Sequence, residues 1–147
     1  MPGQTAKGGP RSRASKPKVE PNRPTIIDVS GRTYVVQWLN EHDWAQLHEA
    51  DDHRGYTDSI NNTIYMRTFE GRVEGDAACA GSLQSTMVHE LLHAMATANG
   101  MEDMKKMVDA LDEDDATEWL VEGLANPVLY LITHNPRLME WLNWRDV

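Results

Sequence analysis

The segment HELLH at residues 89–93 holds the side chains of this chain best suited to metal chemistry. On a helix, His89 and His93 lie four residues apart and project from nearly the same side, so both imidazoles can reach one ion. Zinc bonded at about 2.0–2.1 Å to each ring nitrogen requires that convergence. Glu90 projects about 100° further around the helix, where it can accept a proton from a water that zinc acidifies. The segment therefore predicts one zinc ion per chain, with His89 and His93 as ligands and Glu90 as the general base.

The residues around this segment predict a helix that belongs to the core. Ser82 can begin the helix, and Gly100 supplies a stop after Asn99. Burying two imidazoles and a carboxylate in such a helix would be costly without a metal or other partners. The competing interpretation is that all three side chains face solvent. The apolar residues at helical spacing that favour the core helix are Leu83, Met87, Val88, Leu91, Leu92 and Met95.

A catalytic zinc site usually has three protein ligands and a water, so a third ligand is needed. The best candidates are Glu118 and Glu122, which share one face of a helix predicted over about 116–132, with a kink at Pro127. Each has a structural explanation, because Asp115 and Glu118 form a capping-box pattern and Glu122 could be a solvated carboxylate. We expect Glu118 to bind zinc and Glu122 to orient a ligand histidine. His134 or an aspartate is an alternative third ligand.

The elements that must position these residues begin with a small sheet. The runs 25–29 and 33–38 are rich in β-forming residues and flank a short turn at Ser30-Gly31, which predicts a hairpin. Residues 62–68 alternate polar and apolar side chains and predict another strand, whereas 51–58 reads as a loop. Strands followed mostly by helices predict an α+β fold with a small N-terminal sheet and a helical C-terminal part.

Three further helices complete the prediction. Asn40 can cap a short helix to about Ala50, with Trp44 and Leu47 facing inward. Residues 101–111 can form a second helix. Asn135 and Pro136 supply a cap and a first residue for a last helix through 142.

Length and charge bound the organisation of the chain. A chain of 147 residues favours one domain. Residues 1–24 carry six basic residues and one acidic residue, about +5, which leaves about −14 on the remainder of a chain whose net charge is −9. We expect 1–24 to be a disordered tail and 25–147 to be the folded domain. An acidic domain repels phosphate backbones, so nucleic acid is an unlikely partner except weakly, through the basic tail.

The cysteine content and the apolar runs of the sequence bear on the cellular compartment. A single cysteine excludes an intrachain disulfide and fits a reducing compartment. Neither a secretory signal nor an apolar run of about 20 residues is evident. The sequence therefore predicts a cytoplasmic protein without a membrane partner.

The segments STMVHELLHAMA and TEWLVEGLANPVLYLITHNPRLMEWL resemble a group of small phage-encoded zinc peptidase-like proteins. Glu118, Val121, Leu124 and Ala125 match the E-x-x-V-x-x-L-A pattern of the second helix in that group. The pattern is similar to the E-x-x-A-x-x-F-A of ImmA/IrrE-type peptidases, and the upstream GYTDSINNTIYM is similar to the loop and strand that precede their HExxH helix. The resemblance covers about 55–142 and implies a minimal zincin fold of the gluzincin type, with Glu118 as third ligand and host cytoplasm as the location.

Two functions follow as expectations. The first is a zinc metalloendopeptidase that hydrolyses a protein or peptide substrate, with residues 62–68 as an edge strand that pairs with the substrate. Candidate oxyanion donors are Tyr56, Tyr65, Tyr130 and His134. The alternative is a zinc-stabilised interaction module without turnover, which would need the metal ligands but not Glu90.

Overall fold

Four strands form one sheet, and helices cover one of its faces. The structure is a computed structural model and describes residues 20–47, 53–70, 80–100 and 113–144. It confirms the predicted α+β class. The elements in chain order are β1 (Ile26–Val29), β2 (Arg32–Leu39), α1 (Glu41–Leu47), β3 (Gly55–Asp58), β4 (Thr63–Arg67), α2 (Ala80–Ala98), α3 (Glu113–His134) and α4 (Pro136–Asn143).

The predicted hairpin is confirmed in β1 and β2. These strands pair antiparallel, with Val29 opposite Arg32, so the connection is a two-residue turn. Ser30 and Gly31 both have positive φ, at 52° and 80°, which matches the backbone twist that two-residue hairpins favour. The Asp28 carboxylate accepts a hydrogen bond from the Gly31 backbone N–H at 2.9 Å and stabilises the turn.

The sheet has the order β1-β2-β4-β3, with β2 and β4 parallel and β3 antiparallel to β4. The strand predicted at 62–68 is confirmed as β4, with Ile64 and Met66 fully buried, but its predicted edge position is wrong because β4 pairs on both sides. The loop predicted at 51–58 is also wrong in its second half, which forms the edge strand β3. A four-residue strand that contains glycine and aspartate has too little pattern to reveal itself.

The turn between β3 and β4 is organised by Asp58. Its carboxylate accepts hydrogen bonds from the Asn61 side chain at 2.8 Å and from the backbone N–H groups of Ile60 and Asn61, both at 3.0 Å. These bonds, led by the one from the Asn61 side chain, hold the pKa of Asp58 below its usual value. Asn62 has a φ of 50°, and its C=O accepts from the Val35 N–H at 2.9 Å. The turn therefore fixes where β3 ends and β4 begins.

The long helix predicted at 82–99 is confirmed as α2, and Gly100 follows it with a φ of 68°. The helix lies against β3, β4 and β1, and its buried apolar side chains meet the inner face of the sheet. Val88 and Leu92, expected on the same face, are 45% and 42% exposed, so their inward position is wrong. Buried residues of this common core include Ile27, Tyr34, Val36, Ile64, Met66, Leu83, Met87, Leu91, Ala94 and Met95. The histidine-bearing helix is therefore a core element, as its sequence predicted.

The short helix α1 follows the predicted capping rule but not the predicted inward face. The Asn40 side chain accepts a hydrogen bond from the backbone N–H of Asp43 at 2.9 Å, which confirms the cap. Trp44 is 2% exposed, whereas Leu47 is 55% exposed, so the inward position of Leu47 is wrong. Residues 48–50, where the helix was expected to end, lie outside the described residues.

The helix expected at 116–132 is confirmed as the longer α3, which contains Pro127, and the last helix is confirmed as α4. The side-chain cap expected from Asn135 is wrong, because its carboxamide binds elsewhere. Its Oδ1 accepts from the Asp28 N–H at 2.7 Å, and its Nδ2 donates to the Asp28 C=O at 2.7 Å and to the Leu131 C=O at 3.0 Å. Asn135 therefore attaches the end of α3 to β1.

Residues 20–24, placed in the tail by composition, contact the domain. The Trp38 indole donates to the Pro24 C=O at 2.8 Å, and the Trp141 indole donates to the Glu20 carboxylate at 3.1 Å. The Arg23 guanidinium lies 5.2 Å from the centre of the Trp38 ring, within cation–π distance. The two tryptophans pack edge to face at 5.3 Å. Residues 1–19 and the helix expected at 101–111 lie outside the described residues.

Within the described ranges, no helix is long and apolar enough to cross a membrane.

Candidate active site

The two histidines of the HELLH segment face each other on α2. Their Nε2 atoms lie 3.2 Å apart, and their rings meet edge to face with centroids separated by 4.8 Å. Both side chains are exposed on the helix surface. Without a metal, the contact is a hydrogen bond between imidazoles of complementary tautomer.

The same distance fits two ligands of one zinc ion. Two nitrogens at about 2.0–2.1 Å from a tetrahedral zinc are separated by about 3.3 Å. The observed Nε2–Nε2 distance of 3.2 Å is within about 0.1 Å of that span. The separation of the two Nε2 atoms is therefore compatible with a shared zinc ion.

Glu90, unlike the two histidines, has a buried side chain. It is 5% exposed and lies against β3. The Thr57 hydroxyl is 2.7 Å from the Glu90 carboxylate Oε2 and 3.0 Å from the Glu90 backbone C=O. A buried carboxylate needs such a donor, because burial without a hydrogen bond is costly. Glu90 is thus a buried, hydrogen-bonded carboxylate, and its role as general base stays a prediction.

Gly55 makes this position of Glu90 possible. A Cβ added at Gly55 would lie 2.8 Å from Glu90 Cγ, 2.8 Å from Thr86 Cγ2 and 2.9 Å from Glu90 Oε1. These separations are too short for any side chain, so β3 approaches α2 this closely only because residue 55 has none. The approach brings the β3 backbone alongside the site.

An open pocket of about 630 Å³ lies between α2 and the β3 edge. One wall of the pocket is formed by β3 and the residues just before it. The other wall is formed by the polar face of α2. The pocket is large enough for several side chains of an extended peptide. It is lined by His53, Arg54, Gly55, Tyr56, Thr57, Ser59, Ser85, Thr86, His89, Glu90 and His93.

Glu118 and Glu122 lie on the first half of α3, and both side chains are exposed. The second half of α3 holds the helix in place through Leu131 and Val128, which pack in the core. Among the described residues, no group of three or more His, Cys, Asp or Glu side chains comes together as a metal site. The structure thus brings the histidine pair together but does not bring either glutamate to it, and the third ligand stays a prediction.

The other candidate residues divide between the pocket and the surface. Tyr56 lines the pocket and stacks on Tyr65 at a centroid distance of 6.3 Å. Tyr130 and His134 stack on each other at 3.8 Å on α3. Burial, with Asp28 close by, raises the pKa of Tyr130. Of the four proposed oxyanion donors, Tyr56 is therefore the one that the pocket includes.

Sequence reasoning missed Gly55 and Thr57, because both fall in the segment that was read as a loop. One signal could have found them. Asp58 and the two asparagines at 61 and 62 form a turn directly before the strand β4, and a turn in that position indicates a hairpin whose first strand precedes it. In such a strand, residues 55 and 57 share one face.

Comparison of the chain with protein-family models, with curated proteins and with solved structures found no match. Function is therefore inferred from the geometry of the site itself.

Proposed function

We propose that this protein is a zinc-dependent metallopeptidase that hydrolyses peptide bonds of a protein substrate. One observation carries the proposal: the Nε2 atoms of His89 and His93 lie 3.2 Å apart at a pocket of about 630 Å³ whose wall includes the buried carboxylate of Glu90. Two imidazoles at this spacing, with a carboxylate on the same helix that is not a ligand, are the components of a hydrolytic zinc site.

Bound at His89 and His93, zinc would supply Lewis acidity, both to the attacking water and to the scissile carbonyl. Glu90 takes the proton of that water and then delivers it to the leaving amine. The Glu90 backbone is fixed by α2, and its carboxylate is fixed by Thr57, so neither must be reorganised during turnover. The third protein ligand in this proposal is Glu118. Glu122 either orients a ligand histidine or takes the place of Glu118 as the third ligand.

The substrate in this proposal pairs with β3, not with β4. The Arg67 N–H donates to the Arg54 C=O, so these two residues form a hydrogen-bonded pair. Alternation along an antiparallel ladder then turns the backbone groups of Gly55 and Thr57 toward the outer edge. An extended peptide that adds to this edge lies along the pocket, next to the histidine pair. The protein substrate is thus bound mainly through its backbone.

The cellular setting belongs to the same proposal. A single cysteine is compatible with work in the cytoplasm, where thiols stay reduced. Nucleic acid is not needed for the reaction, and weak binding to it would come from the basic residues of the N-terminal tail.

A second candidate function is a zinc-stabilised interaction module without turnover. The observation that favours it is the contact between Glu90 and Thr57, which joins α2 to β3 and would stabilise the fold even in an inactive protein. In that case Glu90 would be a structural residue.

Glu90→Gln separates the two functions. Glutamine is similar in size and can still accept the Thr57 hydrogen bond, but its amide cannot take a proton from water at neutral pH. We expect the variant to bind about one zinc per chain by elemental analysis and to lose roughly 10²–10⁴-fold of its hydrolysis of fluorescein-labelled casein. Glu140→Gln is the matched control, because Glu140 is an exposed glutamate on α4.

Three results would change the conclusion. Protein purified with zinc in the buffers but containing none would refute both functions. Wild type that binds zinc and hydrolyses neither casein nor a mixed peptide library would favour the interaction module. A Glu90→Gln variant as active as Glu140→Gln would show that Glu90 is not the base.

A further inference from the structure

The hydroxyl of Thr57 makes a short contact to the Glu90 carboxylate, at 2.7 Å from Oε2. A hydroxyl has one proton and can donate to one acceptor at a time. The carboxylate is nearer than the Glu90 backbone C=O, which is 3.0 Å away, and a charged acceptor makes the stronger bond. The contact to Oε2 is therefore the stronger of the two.

We propose that Thr57 is the positioning residue of Glu90: its hydroxyl holds Oε2 at β3 and leaves Oε1 beside Gly55, so that Oε1 is the oxygen that accepts the proton of the attacking water. This role rests on the proposed peptidase function. A glutamate has three rotatable side-chain bonds, and a base that is free to rotate spends little time in the reactive geometry. A hydrogen bond at one carboxylate oxygen restricts that rotation.

The backbone of β3 fixes the positions of Gly55 and Thr57 relative to the Glu90 carboxylate. Gly55 and Thr57 are two residues apart on β3, so they share the face that meets α2. Threonine is β-branched and stiff at χ1, so its hydroxyl is held in one direction by the strand backbone. Gly55 lies on the Oε1 side of the carboxylate, where an added Cβ would come within 2.9 Å of that oxygen. The two residues thus act on opposite oxygens of the same carboxylate.

The inference predicts a specific split in the kinetics. In Thr57→Val, which keeps the shape and loses the hydroxyl, kcat on fluorescein-labelled casein should fall roughly 10–100-fold, as for other residues that orient a reactive group. KM should stay within about threefold, because in this proposal the peptide pairs with the backbone of β3, which the substitution leaves unchanged. Thr57→Ser retains the hydroxyl and should restore kcat to within about threefold of wild type. Zinc content should be unchanged in both variants.

Thr97→Val is the matched control. The Thr97 hydroxyl lies 3.0 Å from the Ser59 hydroxyl, so it joins α2 to the end of β3 just as Thr57 does, but it does not contact Glu90. The same substitution at this site should cost stability without lowering kcat by more than about twofold.

A measurement on metal-free protein tests the contact without any activity. We compare urea unfolding of wild type, Thr57→Val, Glu90→Met and the double variant, since methionine is close to glutamate in size and is only a weak acceptor. Thr57→Val should raise the unfolding equilibrium constant roughly tenfold more in the wild-type background than in the Glu90→Met background.

The outcomes are distinct. A coupling near zero in metal-free protein overturns the inference, because Thr57 then does not hold Glu90. Coupling with an unchanged kcat in Thr57→Val also overturns it, because the contact is then only structural. A wild type that binds zinc, shows the coupling and hydrolyses nothing refutes the proposed function and reduces Thr57 to a structural partner of Glu90. Coupling together with a lower kcat, an unchanged KM and rescue by serine supports it.

Discussion

Gly55→Ala is the smallest change that should move Glu90, the proposed general base. The added Cβ would lie 2.8 Å from Glu90 Cγ and from Thr86 Cγ2, whereas ordinary van der Waals contact begins at 3.4 Å. Glu90, Thr86 or the β3 backbone must therefore shift by at least about 0.6 Å. Overpacking of this kind costs about 1–3 kcal/mol of stability. A reactive group misplaced by about 1 Å can cost about 10²-fold in rate, so we expect kcat to fall roughly 10–100-fold.

The assay measures three quantities on each variant: zinc content, the free energy of unfolding in urea, and kcat on fluorescein-labelled casein. Gly100→Ala is the control, since Gly100 has a φ of 68° and nothing lies within 4 Å of an added Cβ. It should lose about 1 kcal/mol from backbone strain and keep its kcat. Gly55→Ala should keep its zinc, because the atoms that the new methyl meets belong to Glu90 and Thr86.

A second substitution shows whether the loss of kcat in Gly55→Ala comes from the contact with Thr86 or from the contacts with Glu90. Thr86→Ser removes Cγ2 and relieves that contact, but it leaves both contacts to Glu90. The double variant should therefore regain stability and remain slow. Gly55→Ala with a wild-type kcat would refute the reasoning, and so would recovery of full activity in the double variant.

Three other predictions concern the ligands and the boundaries of the fold. Glu118→Ala should weaken zinc binding measured by competition with a chromophoric chelator, whereas Glu122→Ala should weaken it less, by about 10–100-fold; the reverse order would exchange their roles. Deletion of 1–19 should leave the melting temperature and zinc content unchanged. Deletion of 1–24 should destabilise the protein by about 1–3 kcal/mol, because two part-buried indole donors, those of Trp38 and Trp141, lose their acceptors. Asn135→Ala should lower the free energy of unfolding in urea by about 2–4 kcal/mol, since three hydrogen bonds are lost, and a loss below about 0.5 kcal/mol would contradict their importance.

Local patterns predicted the elements whose signals are contained within a few neighbouring residues. The hairpin around Ser30-Gly31 and the helix that ends at Gly100 both depend on short-range backbone preferences. The facing histidines follow from helical geometry alone, because a spacing of four residues places the two rings together.

Contacts between distant parts of the chain were beyond those patterns. Thr57 and Glu90 are 33 residues apart, and neither residue type signals the other. At Asn135, a distant contact overrides a local rule. The local rule predicts a helix cap, but Asp28 of β1, 107 residues away, binds the Asn135 carboxamide instead. Tertiary hydrogen bonds that satisfy both partners outweigh a cap that water can replace.

The two outer strands of the described sheet, β1 and β3, differ in how their outer backbone groups are hydrogen-bonded. This difference affects how the protein avoids self-association. An unpaired strand edge is a template for another chain, and proteins that leave one open risk aggregation. On β1, the carboxamide of Asn135 occupies both the N–H and the C=O of Asp28, as a neighbouring strand would. Two copies therefore cannot join β1 to β1 or β1 to β3 without first breaking those bonds. A sheet that extends through many molecules needs two unpaired strand edges in each molecule. Because Asn135 blocks the β1 edge, edge-to-edge pairing would stop after two molecules.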